Sequence, residues 1–191
     1  KREGEARRKT REVEILVRVR LDGAGEYSGR VGSAFMEHML RTMAKHSRFD
    51  LQVEATGDLR HHVIEDLGLT LGNALGKALG DWTGIARFGY AFVPMDDSLA
   101  RAVVDLGGRG CSRVYLGVKG SAIEDTKVED LNHFLESLAQ SLRCNLHLKV
   151  LYGTNDHHRI EAAVKALALA LRMAVAEAGY RDAPSAKGEI G

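Results

Sequence analysis

The chain has 191 residues, of which 45% are hydrophobic and 28% charged, so it fits one compact globular unit or two small packed halves and excludes a largely disordered chain. Its 27 lysines and arginines against 26 aspartates and glutamates give a formal charge of +1, which offers no overall field to attract nucleic acid or an acidic membrane, so any anion site must be local. The longest apolar stretch, 162–176, is broken by Lys165 and Arg172, and no signal-type apolar segment follows the basic start, so we expect a cytoplasmic protein with reduced thiols at Cys111 and Cys144.

Four elements are predicted in the first part of the chain. Alternating apolar residues predict a strand over 12–21, and apolar residues at helical spacing predict a helix over 33–46. The pattern then predicts a second strand over 49–55 and a second helix over 61–79. Together they form one strand–helix–strand–helix unit.

The same order of elements follows in the second part of the chain. The predicted elements are strands near 85–93, 99–106 and 112–118, a helix over 127–142, a strand over 145–152 and a helix over 156–178. An irregular tail over 181–191 closes the chain.

A short histidine motif occurs twice, once in each part. In the first part it consists of His61, His62 and Glu65, and 96 residues later the same types recur as His157, His158 and Glu161. A glycine also matches with this offset, and an upstream histidine, His38, matches His133 with an offset of 95.

The matched register makes an internal duplication the economical explanation. It predicts an α+β or α/β fold of two sheets backed by helices, with halves at 1–84 and 85–180. No linker rich in proline, glycine or serine separates the halves, so we expect one compact unit rather than two independently moving domains.

The histidine motifs predict metal sites. On a helix, residues three or four apart share a face, so Glu65 can join either His61 or His62 around an ion, and Glu161 either His157 or His158. Adjacent histidines point about 100° apart, so the two rings of one pair serve different metals.

Six histidines and two glutamates then divide into two sites, each with three histidines and one glutamate. Because the two histidines of each helix point in different directions, completing both sites requires ligands from a second subunit. This predicts a homo-oligomer. Imidazole-rich sites suit manganese, iron, zinc, nickel or copper better than magnesium or calcium. For the remaining two histidines, His46 and His147, we expect structural hydrogen bonds.

Basic and hydroxyl side chains form a second constellation, suited to a phosphate monoester. Its members are Arg87, Arg109, Lys165, Ser185 and Lys187.

Read in order, these motifs resemble the imidazoleglycerol-phosphate dehydratase family of histidine biosynthesis. The matching stretches are Thr10-Arg-Glu12, Phe35-Met-Glu-His38-Met-Leu40, Gly57-Asp-Leu, His61-His-Val-Ile-Glu-Asp66, Arg87-Phe-Gly89, Pro94-Met-Asp96, Asp105-Leu-Gly-Gly-Arg109, His133-Phe134, Gly153-Thr-Asn-Asp-His-His158, Glu161, Lys165-Ala166 and Pro184-Ser-Ala-Lys-Gly188. They run through nearly the whole chain in order, which is far more specific than any one motif alone.

The resemblance implies a duplicated fold related to the second domain of ribosomal protein S5, in a shell of twenty-four subunits with two manganese ions per subunit between neighbours. It implies dehydration of imidazole glycerol phosphate to imidazole acetol phosphate, in which metal binding to the substrate's ring nitrogens favours the imidazolate form. The implied metal ligands are His38, His61, His62, Glu65, His133, His157, His158 and Glu161. The implied phosphate contacts are Arg87, Arg109, Lys165, Ser185 and Lys187, partly in the tail, and Glu12 stands where the family has a catalytic glutamate.

The chain departs from the family's pattern in two ways. Val31, Glu37 and Ala186 replace a threonine, an aspartate and a threonine. In addition, only two residues separate Asp58 from His61, where the family has a longer stretch with an aspartate beside the histidine pair. We therefore expect the groups that hold the first histidine pair to differ.

Two other functions are compatible with parts of the pattern. A dinuclear metallohydrolase acting on a small phosphoester would also use two metals and basic residues, although such sites usually contain bridging carboxylates, and it would release inorganic phosphate. A non-enzymatic assembly held together by metal ions would need no phosphate site, so its function would not depend on Arg109 or Lys187.

Overall fold

The computed structural model describes residues 1–191 and contains four α-helices, two four-stranded sheets and a small hairpin. The first half consists of β1 (Glu3–Lys9), β2 (Val13–Arg20), β3 (Tyr27–Arg30), α1 (Ala34–Ser47), β4 (Asp50–Gly57) and α2 (Arg60–Ala78). The second half consists of β5 (Phe88–Met95), β6 (Ser98–Asp105), β7 (Cys111–Tyr115), the hairpin β8 (Ala122–Ile123) and β9 (Thr126–Lys127), α3 (Val128–Leu142), β10 (Asn145–Tyr152) and α4 (Asp156–Val175).

The two sheets have the same topology. Their strand orders are β1-β2-β4-β3 and β5-β6-β10-β7, and in each sheet only the last pair is parallel. Each sheet is covered by the helices of its own half, and the helices of the two halves pack on each other, α2 on α3 and α1 on α4. The predicted α+β fold with duplicated halves is therefore confirmed, whereas the boundaries at residues 84 and 180 stay a prediction.

The core lies between the sheets. Along β2, Val13, Ile15, Val17 and Val19 are all buried, because alternate side chains of a strand point to the same face. A single cluster of 55 buried hydrophobic residues joins both halves, so the halves share one core. The side chain of Ser33 accepts the backbone N–H of Met36 and caps α1.

Matched glycines let the first strand of each half approach a helix closely. A Cβ atom on Gly4 of β1 would lie 2.1 Å from the carbonyl oxygen of Ala74 in α2, and one on Gly89 of β5 would lie 1.9 Å from that of Ala170 in α4. Only glycine fits such a contact without moving the backbone. The duplication therefore extends to the packing of strand on helix.

Several elements differ from the prediction. β1 and β3 were not predicted: β1 is rich in charged residues, and β3 has only four residues. α4 ends at Val175 instead of 178, because the next residues bond to the segment that precedes β5, where Ala86 N–H donates to the carbonyl of Ala176. β5 begins at Phe88, directly after Arg87, whose φ of 71° is incompatible with a strand.

The outer faces of the two sheets differ in character. The first sheet carries ion pairs such as Arg18 with Glu5 at 2.7 Å. The second presents aromatic side chains of its edge strand β5, with Phe88, Tyr90 and Phe92 each more than half exposed. None of the four helices combines the length and apolarity needed to cross a membrane.

Candidate metal centres

One cluster of metal-ligating side chains lies between α2 and α3. His61 and Glu65 of α2 and His133 of α3 each place a ligand atom within 4.8 Å of the others. The Nε2 atom of His61 is 3.3 Å from Oε2 of Glu65, and the rings of His61 and His133 lie edge to face with centroids 5.4 Å apart. We call this set the α2–α3 cluster.

Its counterpart lies between α1 and α4. His38 of α1 and His157 and Glu161 of α4 meet the same 4.8 Å limit, with 3.9 Å between Nε2 of His157 and Oε2 of Glu161. We call this set the α1–α4 cluster. In both helices the glutamate thus joins the first histidine of the pair, which resolves the choice that the spacing left open.

Both clusters draw ligands from both halves of the duplication. Each contains two histidines and one glutamate, one histidine fewer than the predicted set. The second histidine of each pair, His62 and His158, joins neither cluster of its own chain. The divergence of adjacent side chains on a helix accounts for this arrangement.

The donor atoms of both clusters suit a divalent transition metal. Nδ1 of His133 and Nε2 of His157 are buried and have no hydrogen-bond partner, one such nitrogen in each cluster. Buried polar atoms are normally paired by hydrogen bonds. A buried imidazole nitrogen without a partner, in a cluster that also contains a carboxylate, is therefore typical of a metal ligand. The chain therefore has two groups of residues that fit metal binding.

His62 and His158 are held in equivalent orientations by carboxylates. Nδ1 of His62 lies 2.8 Å from Oδ1 of Asp58, and Nδ1 of His158 lies 2.5 Å from Oδ1 of Asp97. These hydrogen bonds raise the pKa of both histidines. With Nδ1 donated to a carboxylate, Nε2 is the nitrogen left to bind a metal.

Asp58 supplies a carboxylate to the first histidine pair although the segment before His61 is shortened. Because α2 begins at Arg60, Asp58 comes four residues before His62 and reaches its ring from just outside the helix. The hydrogen bond to His62 lowers the pKa of Asp58. The shorter segment therefore still supplies a carboxylate to the histidine ring.

Asp97 has this role in the second half but comes from the turn between β5 and β6. Its Oδ2 atom also accepts the backbone N–H groups of Thr154 and Asn155, at 2.6 and 2.9 Å, so it fixes the start of α4 as well. The hydrogen bond from His158, followed by these two backbone bonds, lowers the pKa of Asp97. The two halves thus recruit the carboxylate from different elements.

Glu12, the candidate acid or base, lies beside His62. It is exposed in the turn between β1 and β2, with Oε2 at 3.5 Å from Nδ1 of His62. Like His62, it is outside both clusters of its own chain.

The candidate phosphate contacts are not all brought together. Lys165 lies beside the α1–α4 cluster, with Nζ 3.3 Å from Oε1 of Glu161. Arg87 instead forms a two-pronged pair with Asp105, at 2.7 and 3.2 Å, which raises the pKa of Arg87. Its remaining Nη1 atom donates to the carbonyl of Pro184 at 2.8 Å, which ties it to the tail.

The tail carries two further candidates near Arg87. Ser185 Oγ accepts the backbone N–H of Lys187 at 3.2 Å, and Lys187 Nζ donates to the carbonyl of Gly191 at 3.0 Å. Gly108 packs against Gly191, so the loop that leads to the exposed Arg109 lies against the tail. Arg87, Arg109, Ser185 and Lys187 therefore belong to one region.

This region is far from the α1–α4 cluster of the same chain. The backbone of Arg87 hydrogen-bonds to Ala174, which is 13 residues beyond Glu161 in α4. At 1.5 Å per residue the two positions are about 20 Å apart. One small substrate cannot reach both from a single chain.

Three aspartates near the histidines were missed by the sequence analysis. Asp58 had a usable signal, its spacing of four residues from His62. Asp97 and Asp130 had none, since they lie 61 and 69 residues from the histidines they contact. The structural hydrogen bonds expected for His46 and His147 are absent, and His147 is exposed to water on β10. Burial, followed by the charge of Lys165, lowers the pKa of His46.

Comparison with known proteins gives consistent matches over the chain. Residues 31–171 match the family model described as imidazoleglycerol-phosphate dehydratase. The imidazoleglycerol-phosphate dehydratase of Desulforudis audaxviator is 48% identical over 192 residues, which cover 99% of this chain and 98% of that protein. That of Methanothermobacter thermautotrophicus is 46% identical over 186 residues, which cover 96% of this chain and 95% of that protein.

Two solved structures are similar as well. The crystal structure of the Pyrococcus furiosus imidazoleglycerol-phosphate dehydratase matches with a TM-score of 0.83 and 37% identity, covering 96% of this chain and 99% of that one. The Staphylococcus aureus enzyme matches with a TM-score of 0.84 and 30% identity, covering 92% of this chain and 99% of that one.

Proposed function

This chain belongs to the imidazoleglycerol-phosphate dehydratase family, and we propose that it works with two manganese ions per subunit at sites shared between the subunits of a homo-oligomer. It is a hydro-lyase that dehydrates imidazole glycerol phosphate to imidazole acetol phosphate in histidine biosynthesis. Family membership sets aside both the metallohydrolase and the non-enzymatic assembly.

The observation that carries the metal proposal is the matched pair of clusters, each with an unpartnered buried imidazole nitrogen. Two imidazole nitrogens and one carboxylate oxygen would suit a divalent transition metal such as manganese. When bound there, the metal stabilises negative charge on the imidazole ring of the substrate.

Each site takes its missing ligand from a neighbouring subunit. His62 and His158 lie outside the clusters of their own chain, and because Asp58 and Asp97 hold Nδ1, Nε2 of each ring is left to bind a metal. The full ligand set is then His38, His61, His62, Glu65, His133, His157, His158 and Glu161, as the sequence predicts.

The phosphate group of the substrate is bound by two regions. Lys165 approaches it from the α1–α4 cluster, and a neighbouring subunit supplies Ser185 and Lys187 of its tail together with Arg87 and Arg109 from the segments packed against that tail. The separation of about 20 Å within one chain supports this sharing, since phosphate and ring belong to one small molecule. The tail, 181–191, thus contributes to an active site of another subunit.

Glu12 transfers the proton in the elimination. Removal of water from the substrate needs a carbon-bound proton to be taken and the hydroxyl to leave with a proton. Glu12 lies 3.5 Å from His62, so the neighbour that lends His62 also brings this carboxylate to the site.

Sites that are shared between subunits need a homo-oligomer, and the exposed aromatic face of β5 is a second reason to propose one. Phe88, Tyr90 and Phe92 form a row of large apolar side chains on an edge strand, a surface that subunits usually cover. We propose an assembly of twenty-four cytoplasmic subunits, each one compact unit of halves 1–84 and 85–180.

The test combines metal analysis with an assay of both possible products. Chelated protein should make no imidazole acetol phosphate, and manganese should restore the ketone without release of inorganic phosphate. Wild-type protein should hold two manganese ions per chain, and Glu65→Gln and Glu161→Gln should each hold one. Glu54→Gln, an exposed change on β4, serves as the control and should hold two. Full activity in metal-free protein would contradict the proposal.

A further inference from the structure

The α2–α3 and α1–α4 clusters differ at the position three residues before the histidine that α3 or α1 contributes. Three residues before His133 on α3 stands Asp130, and three residues before His38 on α1 stands Phe35. Residues three apart on a helix share a face, so both side chains point toward the metal cluster of their helix. The duplication thus places a carboxylate at one cluster and a phenyl ring at the other.

Asp130 contacts the α2–α3 cluster directly. Its Oδ1 atom lies 2.7 Å from Nδ1 of His61, and its side chain is only 4% exposed. His61 is the only hydrogen-bond partner of this carboxylate. A buried carboxylate is costly unless it is paired, so the contact with His61 fixes both groups.

Phe35 contacts the α1–α4 cluster without any polar interaction. Its ring meets the ring of His157 edge to face, with centroids 5.5 Å apart, and it is itself buried. Neither ring nitrogen of His157 makes a hydrogen bond, and Nε2 is buried. No hydrogen bond therefore fixes the ring of His157.

We propose that the two clusters bind a divalent metal with unequal affinity, and that Asp130 is the positioning residue that makes the α2–α3 cluster the tighter site. The inference rests on the proposed function, in which both clusters are metal sites. It concerns which site fills first and which empties first.

The reason lies in what a carboxylate does for a histidine ligand. Because His61 donates its Nδ1 proton to Asp130, its Nε2 lone pair points at the cluster in a fixed tautomer and orientation, and it is a stronger base. Loss of such a partner typically weakens metal binding by about 10- to 100-fold. His157 has no such partner, so its cluster should have the weaker affinity by a factor of that order.

The first experiment separates the sites without changing Asp130. Manganese is titrated into metal-free protein, and unbound Mn²⁺ is measured by its electron paramagnetic resonance signal. His38→Ala leaves the α2–α3 cluster, and His133→Ala leaves the α1–α4 cluster while keeping the pair of His61 and Asp130. We expect wild-type protein to bind in two steps, His38→Ala to keep only the tight step and His133→Ala only the weak one.

The second experiment tests Asp130 itself. Asp130→Asn, which keeps the shape and removes the charge, should weaken binding by about 10- to 100-fold in the His38→Ala background. In the His133→Ala background it should leave the affinity unchanged, a result that a general loss of structure would not give.

Three outcomes would count against the inference, and they are distinguishable. Wild-type protein that binds no manganese would overturn the proposed metal sites and this inference together. Two ions bound with equal affinity, or the reverse order in the two histidine variants, would overturn the inference alone. An equal loss in both backgrounds would show that Asp130 supports the whole fold rather than one site. The histidine variants decide the order of affinity even where Asp130→Asn fails to fold.

Discussion

At the scale of one residue, a substitution of Glu12 separates an effect on catalysis from an effect on metal binding. It contacts no residue of either cluster in its own chain and lies 3.5 Å from His62. Glu12→Gln removes the proton acceptor but keeps the size, so kcat for ketone formation should fall by about 10²- to 10⁴-fold with the manganese content unchanged. Glu14→Gln, exposed two residues further on β2, should leave kcat unchanged. A kcat within twofold of wild type for Glu12→Gln would remove the glutamate from the proposal.

The contact of the first histidine of each pair with its glutamate could be predicted from sequence because it is local. His61 and Glu65 are four residues apart on one helix, and the duplication repeats that spacing. The groups that orient them depend on the fold instead: Asp130 and Asp97 come from other elements and have no sequence relation to the histidines they hold. The periodicity of the sequence carries no information about such contacts.

At the scale of elements, the close approach of β5 and α4 gives a stability prediction. Gly89→Ala would place Cβ 1.9 Å from the carbonyl oxygen of Ala170, so it should lower the free energy of unfolding by about 1–3 kcal/mol. Gly76→Ala is the matched control, since its Cβ meets only Trp82 at 3.6 Å and α2 gains helix propensity, which should raise stability by up to about 1 kcal/mol. Urea unfolding of the metal-free proteins measures both. A Gly89→Ala protein as stable as wild type would contradict the packing.

Asp50 at the start of β4 gives a pH-dependent prediction. Its Oδ1 atom accepts the backbone N–H groups of Ala24, Gly25 and Glu26 at 2.9–3.0 Å. Burial alone would raise the pKa of Asp50, but the three donors outweigh it and the pKa is lowered. The contribution to stability is therefore complete above the unfolded pKa and is lost as pH falls through the folded one.

Asp50→Asn should accordingly cost about 1 kcal/mol of unfolding free energy at pH 7 and progressively less below about pH 4. Urea unfolding at several pH values between 3 and 7 measures the difference. Glu54→Gln on the same strand should show no such dependence. A cost for Asp50→Asn that is constant over this range would mean that the carboxylate charge is not what holds the turn.

The elements that could be predicted are those with a strong apolar period. β2 and the four helices have one, since each buries a continuous face in the core. β1 carries alternating charges that pair with β2 on the outer face, as Glu5 does with Arg18, so its sequence has the composition of a surface segment. The end of α4 was misplaced because its last bonds are to the segment before β5, a contact between distant parts of the chain.

At the scale of the whole molecule, the sequence predicts that subunits share sites, and the distance along α4 gives that prediction its physical basis. Glu161 and Lys165 lie 3.3 Å apart at one end of the helix, while the contact of Arg87 with Pro184 holds the tail at the other. A chain that lacks Glu161 therefore keeps an intact tail to lend, and a chain that lacks Lys187 keeps an intact cluster.

Mixing inactive variants tests this arrangement. Glu161→Gln and Lys187→Ala subunits, dissociated with chelator, mixed equally and reloaded with manganese, should regain about a quarter of wild-type activity, because random assortment leaves that share of sites with both residues. Glu161→Gln mixed with Lys165→Ala is the control and should stay inactive, since both residues serve the same site from the same chain. Recovery in neither mixture would mean that each active site takes Glu161 and Lys187 from one chain, and the sharing of sites would then be wrong.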